Sequence, residues 1–498
     1  MPDNATSQVQ PAFAALAARA PSLALESAET RIARLQRLLK ETMAARDAIY
    51  EAAHAELGLC NTDIDQQLLM VKGEIEYACK HLAEWMKPEP VKGSLMTLGK
   101  KSYIRYEPKG VVLTLGTWNA PYAIGLVPAV GALAAGNSVL LKPSELAPQS
   151  AAVLADIVAR AMEPDVFTVL QGGPEVAQEL LQQPFNHIFY IGGHQVGRLV
   201  MKAAAEHFAS VTLEMGGKNP TIIDASADIE DTARKIAWGR LSNAGQVCIA
   251  PDYALVHESV KAAFCEALAR NIQAMYNPDG AGYEASPEYP CIINDRHFER
   301  VAALLDDARE KGATFHCGGG RNPAARHIDP CVISDVDEGM RIMQEEIFGP
   351  AIAVVGWKDR EEVIEIIKRR AKPLALYIYA KDREAIDWFL ARTTAGSTVV
   401  NHNMIQSGTN PHLPFGGVNA SGIGRIGGHF TFLECSNQRS IVEEGPPVGD
   451  PNMMYPPYSD KFKKMMGSMF DRPLAVPDAV VRGINGLIKV TSVFKRQR

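Results

Sequence analysis

A carboxylate and a thiol set among glycines are the residues of this chain best suited to covalent chemistry. In VTLEMGGKNPTIIDASADIEDTARKIAWGRLSNAGQVCIAPD, residues 211–252, Glu214 stands just before the Gly216-Gly217 pair, and Cys248 closes the run Gly245-Gln246-Val247-Cys248. Glycine lets backbone come close to a ligand, and a turn after a helix presents a small nucleophile to it. A cysteine met alone is more often an inert core residue; here the glycines and the nearby carboxylate favour thiol chemistry. A thiol hydrolase or amidase built on Cys248 and Glu214 and a non-catalytic nucleotide-binding scaffold are the competing readings. A cysteine–histidine protease needs a histidine base, yet of the twelve histidines only His194 falls inside a candidate block.

These groups must be held by a large scaffold. The chain has 498 residues, enough for two or three packed units. Its net charge of −6 provides no broad basic field, so no nucleic-acid partner is expected. The eight cysteines are scattered, without C-x-x-C pairs or zinc-type histidine spacing, which predicts reduced thiols and no metal. No secretory signal or membrane-spanning run is evident, so a cytoplasmic protein is expected, and Asn4-Ala5-Thr6 and Asn419-Ala420-Ser421 are chance glycosylation matches.

Apolar spacing predicts helices from Ser27 to about Met86, then a hairpin over about 92–108. From Val111 to Leu213 short apolar runs alternate with amphipathic helices, and a second such series runs from Thr221 to about Arg392. That alternation predicts an α/β fold of two linked parallel-sheet domains. The tail beyond Glu443 is rich in Pro and Met. Its helix-like stretch from Val480 to Phe494, with Lys489, Lys495, Arg496 and Arg498, is read as a solvated or subunit-docking tail rather than a membrane anchor.

Gly422-Ile423-Gly424-Arg425-Ile426-Gly427 satisfies the G-x-G-x-x-G fingerprint literally. The fingerprint works only between a strand and a helix, with an acidic residue about 20 positions on. This copy lies late in the chain in a glycine-rich loop, and is not expected to bind pyrophosphate.

Seven blocks in order, Trp118-Asn119, LLKPSE (140–145), IGGHQVG (191–197), LEMGGKNP (213–220), GQVCIAP (245–251), EEIFGP (345–350) and LPFGGVNASGIG (413–424), resemble the NAD(P)-dependent aldehyde dehydrogenases. KPLALYIYAKD and the PFGGVNASGIG loop are most similar to the class 3, coniferyl-aldehyde-like branch. The resemblance implies that Cys248 attacks an aldehyde to form a thiohemiacetal and then a thioester, that Glu214 is the general base for hydrolysis, and that Asn119 is the side-chain oxyanion donor. For the cofactor it implies Lys142 and Glu145 at the adenosine ribose, with NAD expected and NADP the alternative. It further implies Gly192 and Gly193 at the phosphates, Glu346 and Phe348 at the nicotinamide ribose and ring, and Gly197, Gly217 and Trp118 as further cofactor-binding residues. Gly193 departs from the pattern, since the family usually has a hydroxyl residue there. Tyr122, His412 and Phe415 are expected at the mouth of the aldehyde tunnel.

The same resemblance divides the chain. Residues 1–91 and 109–214 would form a Rossmann-like cofactor domain, 215–432 the catalytic domain, 92–108 and 433–444 a small β flap joining subunits, and 445–498 the tail. A homodimer, with a tetramer as the alternative, is the assembly so implied.

Overall fold

A computed structural model describes residues 6–93, 97, 100–406, 410–444 and 455–470. The expected helix around Val480–Phe494, its four basic residues, most of the first hairpin run (94–96 and 98–99) and part of the 404–412 tunnel segment lie outside the described residues. The chain forms two compact units, residues 1–82 with 108–435 and residues 83–107 with 436–498.

The larger unit opens with helices α1 (Thr6–Leu23), α2 (Ala28–Ala44), α3 (Arg46–Leu57) and α4 (Asn61–Trp85). Pro11 and Pro21 lie inside α1, and the sequence reading assigned no helix there. Tertiary packing overrides that propensity: Val9, Leu16 and Leu23 are fully buried, and Ser138 Oγ donates to Leu16 O at 3.0 Å.

Two parallel-rich sheets follow. The first has the order Gly422–Ile423, Ser210–Met215, His187–Gly192, Val111–Leu115, Ser138–Lys142, Phe167–Val169. Five of its strands are parallel, and their near-continuous apolar sequences are buried on both faces. Helices α5 (Pro121–Ala135), α6 (Pro148–Ala161), α7 (Pro174–Leu180) and α8 (His194–Glu206) connect them. The second sheet has the order Thr314–Cys317, Cys331–Ser334, Ala351–Trp357, Tyr253–His257, Pro220–Ile223, Ala375–Tyr379, Ser397–Val400. It is parallel except at Thr314–Cys317, and α9 (Ile229–Leu241) covers part of it.

The stretch 215–432 was expected to form one catalytic domain, but it returns to the first sheet at its end. Gly422–Ile423 pairs antiparallel with Ser210–Met215, placing Gly422 opposite Glu214. The false fingerprint is therefore an edge strand. Side chains would not fit: a Cβ on Gly422 would lie 2.5 Å from Leu213 O, and one on Gly424 2.7 Å from Thr212 Oγ1.

In the smaller unit Glu89–Pro90, Lys101–Pro108 and Ser436–Glu443 form a three-stranded sheet in that order. The partner of Lys101–Pro108 on the earlier side is thus Glu89–Pro90, with Glu89 opposite Ile104. Among the described residues, no helix is long and apolar enough to cross a membrane.

Candidate active site

The carboxyl ends of the first sheet's parallel strands and the loops entering the amino ends of the second sheet's strands supply the site. Leu115 leads to Trp118 and Asn119, Lys142 ends its strand, and Glu214 is the penultimate residue of the strand Ser210–Met215. From the second sheet, Asn219 precedes Pro220, Cys248 precedes Tyr253, and Glu346 and Phe348 precede Ala351. Ligands of open α/β sheets bind at such strand ends.

Cys248, Glu214 and Asn119 line one cavity of about 420 Å³. Most of its wall is apolar, including Ala123, Ile124 and Val127 of α5 with Met404, Phe415 and Ile426. Cys248 is half-buried. Burial, followed by the negative charges of Glu346 and Glu214, pushes its thiol up to about 12, while the backbone N–H groups of Cys248 and Ile249 oppose that rise.

The turn that carries the thiol has an unusual backbone. Asn243, Ala244 and Gly245 have φ values of 50°, 51° and 76°, three left-handed residues in succession. Only the glycine adopts this freely; the other two cost on the order of 1 kcal/mol each. Buried amides hold the turn in place. Gln246 donates to Asn243 O and Cys291 O, both at 3.0 Å, and accepts from Ile293 N at 3.0 Å. Asn219 Nδ2 donates to Cys248 O at 2.8 Å and Ala250 O at 3.1 Å, and its Oδ1 accepts from Ala375 N at 2.9 Å. Asn219 and Gln246 were not singled out from the sequence, although both lie inside the quoted blocks; an amide next to a nucleophile is the signal that could have found them.

Asn119 is fixed from both ends. Thr117 Oγ1 donates to its Oδ1 at 2.9 Å, its Nδ2 donates to Gln246 O at 2.8 Å, and Asn243 donates to its carbonyl at 3.0 Å. An amide nitrogen carries two hydrogens, so one remains for an oxygen in the cavity.

Glu214 is 5% exposed, and both of its carboxyl oxygens are buried without a hydrogen-bond partner. Burial raises its pKa well above the usual carboxylate range; Arg425 opposes the shift and Glu434 adds to it. A carboxyl so isolated favours its neutral form and gains from a water or substrate group that can pair with it. Gly416 leaves it room, since a Cβ there would lie 2.9 Å from Glu214 Oε1.

The residues expected around a dinucleotide are not among those that line this cavity. Lys142, buried at its strand's end, is 2.8 Å from the half-exposed Glu145 carboxylate. Gly193 caps α8 with no heavy atom within 4 Å of a would-be Cβ, so the helix N-terminus is open to an anion there. Gly192 and Gly197 instead serve packing: a Cβ would meet Tyr190 Oη at 2.5 Å and Met215 Sδ at 2.6 Å, respectively. Glu346 accepts from Gly217 N at 3.2 Å and lies over Gly216, where a Cβ would be 2.3 Å from its Oε2. Burial, with Asp252 nearby, pushes Glu346 up to about 8. Phe348, with φ 43°, meets Trp118 edge-on at 5.6 Å. The loop bearing them is anchored by Arg300, which donates to Ile347 O at 2.7 Å and Glu346 O at 3.2 Å. Lys218 and Asp252 form a buried ion pair that anchors the same loop, with Lys218 Nζ donating to Ile342 O at 2.6 Å and Asp252 Oδ2 accepting from Ile347 N at 2.9 Å.

Two tunnel residues lie elsewhere. Tyr122 is fully buried and does not line the cavity. The helix explains the difference, because α5 turns Ala123, Ile124, Val127 and Pro128 to the cavity and Tyr122 falls outside that face. His412 is exposed and stands against Tyr77, with Nδ1 3.2 Å from its hydroxyl. Phe415 does line the cavity.

A half-buried thiol, an unpaired carboxyl and a fixed amide, gathered between two parallel-rich sheets, define the class: this is the fold of the aldehyde dehydrogenases, with a thiol at its centre. The chain belongs to the aldehyde dehydrogenase family, whose family model matches residues 1–441. It is 38% identical over 433 residues to aldehyde dehydrogenase family 3 member A2 of Macaca fascicularis, covering 86% of this chain and 87% of that protein. Among solved structures, the substrate-bound state of Staphylococcus aureus AldH superposes with a TM-score of 0.88 at 34% identity, over 93% of this chain and 99% of the other. The Mycobacterium tuberculosis aldehyde dehydrogenase complexed with NAD+ gives a TM-score of 0.79 at 27% identity, over 90% and 92%.

Proposed function

We propose that this oxidoreductase converts an apolar aldehyde, aromatic such as coniferyl aldehyde or medium- to long-chain aliphatic, to its carboxylic acid with NAD, NADP being the alternative. The observation that carries the proposal is the apolar cavity that brings Cys248, Glu214 and Asn119 together.

Cys248 Sγ, once deprotonated, forms a bond to the carbonyl carbon. Negative charge then develops on the carbonyl oxygen, where the free hydrogen of Asn119 Nδ2 and the Cys248 backbone N–H can meet it; a preorganised donor of this kind is worth roughly 3 to 4 kcal/mol. A bound nicotinamide would supply the hydride acceptor. The thioester left on Cys248 is hydrolysed when Glu214 takes a proton from water, the hydroxide adds to the acyl carbon, and the thiolate leaves. Burial keeps the Glu214 carboxyl basic enough for that transfer.

Several residues support the cofactor reading. The Lys142–Glu145 pair is suited to ribose hydroxyls, with the carboxylate disfavouring a 2′-phosphate. The open N-terminus of α8 suits a phosphate even though Gly193 offers no hydroxyl. Glu346, Phe348 and Trp118 would flank the nicotinamide end. The NAD+ complex of the Mycobacterium tuberculosis neighbour favours the same choice. These nucleotide-holding groups disfavour the hydrolase reading, and the intact Cys248, Glu214 and Asn119 set disfavours the scaffold. For assembly, Ser436–Glu443 is an edge strand with mostly exposed residues, a surface that supports a homodimer through sheet extension.

The test is NADH formation across aromatic, aliphatic and semialdehyde substrates, repeated with NADP. Apolar aldehydes with NAD should give the highest kcat/KM. Turnover confined to charged semialdehydes would contradict the substrate class, and tight NAD binding without reduction by any aldehyde would favour the scaffold.

A further inference from the structure

The false fingerprint, residues 422–427, carries one charged side chain, Arg425, which the chemistry above does not use. Pairing of Gly422 with Glu214 brings that residue to the general base from the sheet edge. The two side chains meet across Gly416, where a Cβ would lie 2.9 Å from Glu214 Oε1 and 3.0 Å from Arg425 Cδ. Arg425 is half-buried, and its Nη1 donates to Gly417 O and Gly424 O, both at 2.7 Å. Its backbone N–H donates to Glu434 Oε1 at 3.0 Å, and Glu434 Oε2 accepts from Thr212 Oγ1 at 3.4 Å. The guanidinium is thus fixed near the carboxyl without a hydrogen bond to it, since both Glu214 oxygens are unpartnered. A charge so held beside a buried group is weakly screened.

Other titratable groups surround Glu214: Glu434 from the helix His429–Glu434, Cys248 from the nucleophile's turn, Glu346 over Gly216, and Asp63 on the cavity wall. Each of these is an acid, so the opposing positive charge is that of Arg425. We propose that Arg425 is a positioning residue for thioester hydrolysis: its fixed guanidinium, opposed by the Glu434 carboxylate, stabilises the ionised Glu214 that takes a proton from water. This rests on Glu214 being the base, as read above. No bond is made or broken at Arg425. Without the cation a buried carboxyl stays neutral over more of the pH range, and a neutral carboxyl accepts no proton from water.

The experiment is a single turnover with enzyme and NAD in excess over octanal, from pH 5 to 10. NADH absorbance reads hydride transfer, and acid quenching with peptide mass spectrometry reads decay of the thioester on Cys248. Arg425→Gln removes the charge but keeps donors for the two carbonyls, Arg425→Lys keeps the charge, and Glu434→Gln removes a negative charge but keeps an acceptor for Arg425 N. In Arg425→Gln the midpoint of the rise in decay rate with pH should move up by about one pH unit, slowing decay about tenfold below it and sparing the high-pH plateau. The midpoint should stay near wild type in Arg425→Lys and move down in Glu434→Gln. A midpoint in Arg425→Gln equal to wild type, or a rate lowered equally at every pH, overturns the proposal and leaves Glu214 as base. An unmoved midpoint in Glu434→Gln overturns it even if Arg425→Gln fails to fold. No NADH from octanal or cinnamaldehyde in the wild type, or thioester decay there that ignores pH, overturns the parent reading and this one with it.

Discussion

The side-chain amide of Asn219 holds the carbonyl of Cys248 at 2.8 Å. The same side chain reaches Ala250 O and Ala375 N, so one residue fastens the nucleophile's turn to two neighbouring strand entries. It touches no reacting atom and acts through position alone.

Replacing Asn219 with Ala should therefore lower kcat by 10- to 100-fold with a much smaller change in cofactor affinity. Loss of three buried hydrogen bonds should also cost roughly 2 to 4 kcal/mol of stability. Steady-state kinetics, NAD titration and urea denaturation separate the two effects. A kcat equal to wild type would show that the turn does not need this anchor.

Cys248→Ala should abolish NADH formation while NAD still binds. Glu214→Gln should release a burst of NADH of about one equivalent per site and then stall, because acylation proceeds without hydrolysis. Stopped-flow absorbance distinguishes them; an unchanged steady-state rate in Glu214→Gln would remove that residue from the role of base.

With its thiol raised to about 12 in the cofactor-free protein, Cys248 is a poor nucleophile at neutral pH. Its alkylation by iodoacetamide should be slow at pH 7 and accelerate about tenfold per pH unit, since the thiolate fraction rises so below the pKa. Peptide mass spectrometry at this site, with Cys248→Ala as reference, reads the rate. A rate that is flat between pH 7 and 9 would mean that the thiol is already ionised.

Glu74, on α4, is buried and accepts from Gly428 N through both oxygens at 2.9 Å. Burial pushes it up to about 7 from an ordinary value of 4.5, against the opposing hydrogen bond. The folded state thus binds more protons than the unfolded one between those values, so this group's contribution to stability falls as pH rises from about 4.5 through 7. Glu74→Gln keeps an acceptor for Gly428 and removes the ionisation. It should be more stable than wild type at pH 8, by on the order of 1 to 3 kcal/mol, and close to it at pH 5. Chemical denaturation at the two pH values checks this; a difference that does not change with pH would contradict it.

Much of this architecture is legible in the sequence because parallel strands buried on both faces read as apolar runs. Val111–Leu115 and Ser138–Lys142 are such cases, and the helices between them show amphipathic spacing. The candidate site was legible through its blocks, since Cys248, Glu214 and Asn119 share one cavity. What failed to show was orientation and long-range pairing. Tyr122 sits beside Asn119 in sequence, but a helix turns it to another face. Ala244 carries no side-chain signal for left-handed backbone, and Asn243 beside it is of a type that tolerates it; the surrounding amides impose the conformation on both. The α1 helix was hidden by its prolines, and Gly422–Ile423 by a partner roughly two hundred residues earlier.

That late pairing has a consequence for how the protein is made. A chain growing from its amino terminus can lay down Ser210–Met215 early, yet the strand's outer edge stays bare until Gly422 has been synthesised. During that interval the edge offers unpaired backbone groups to any extended segment nearby. Products truncated before Gly422 should be prone to aggregate and catalytically silent, even though thiol, carboxyl and amide are all present in them.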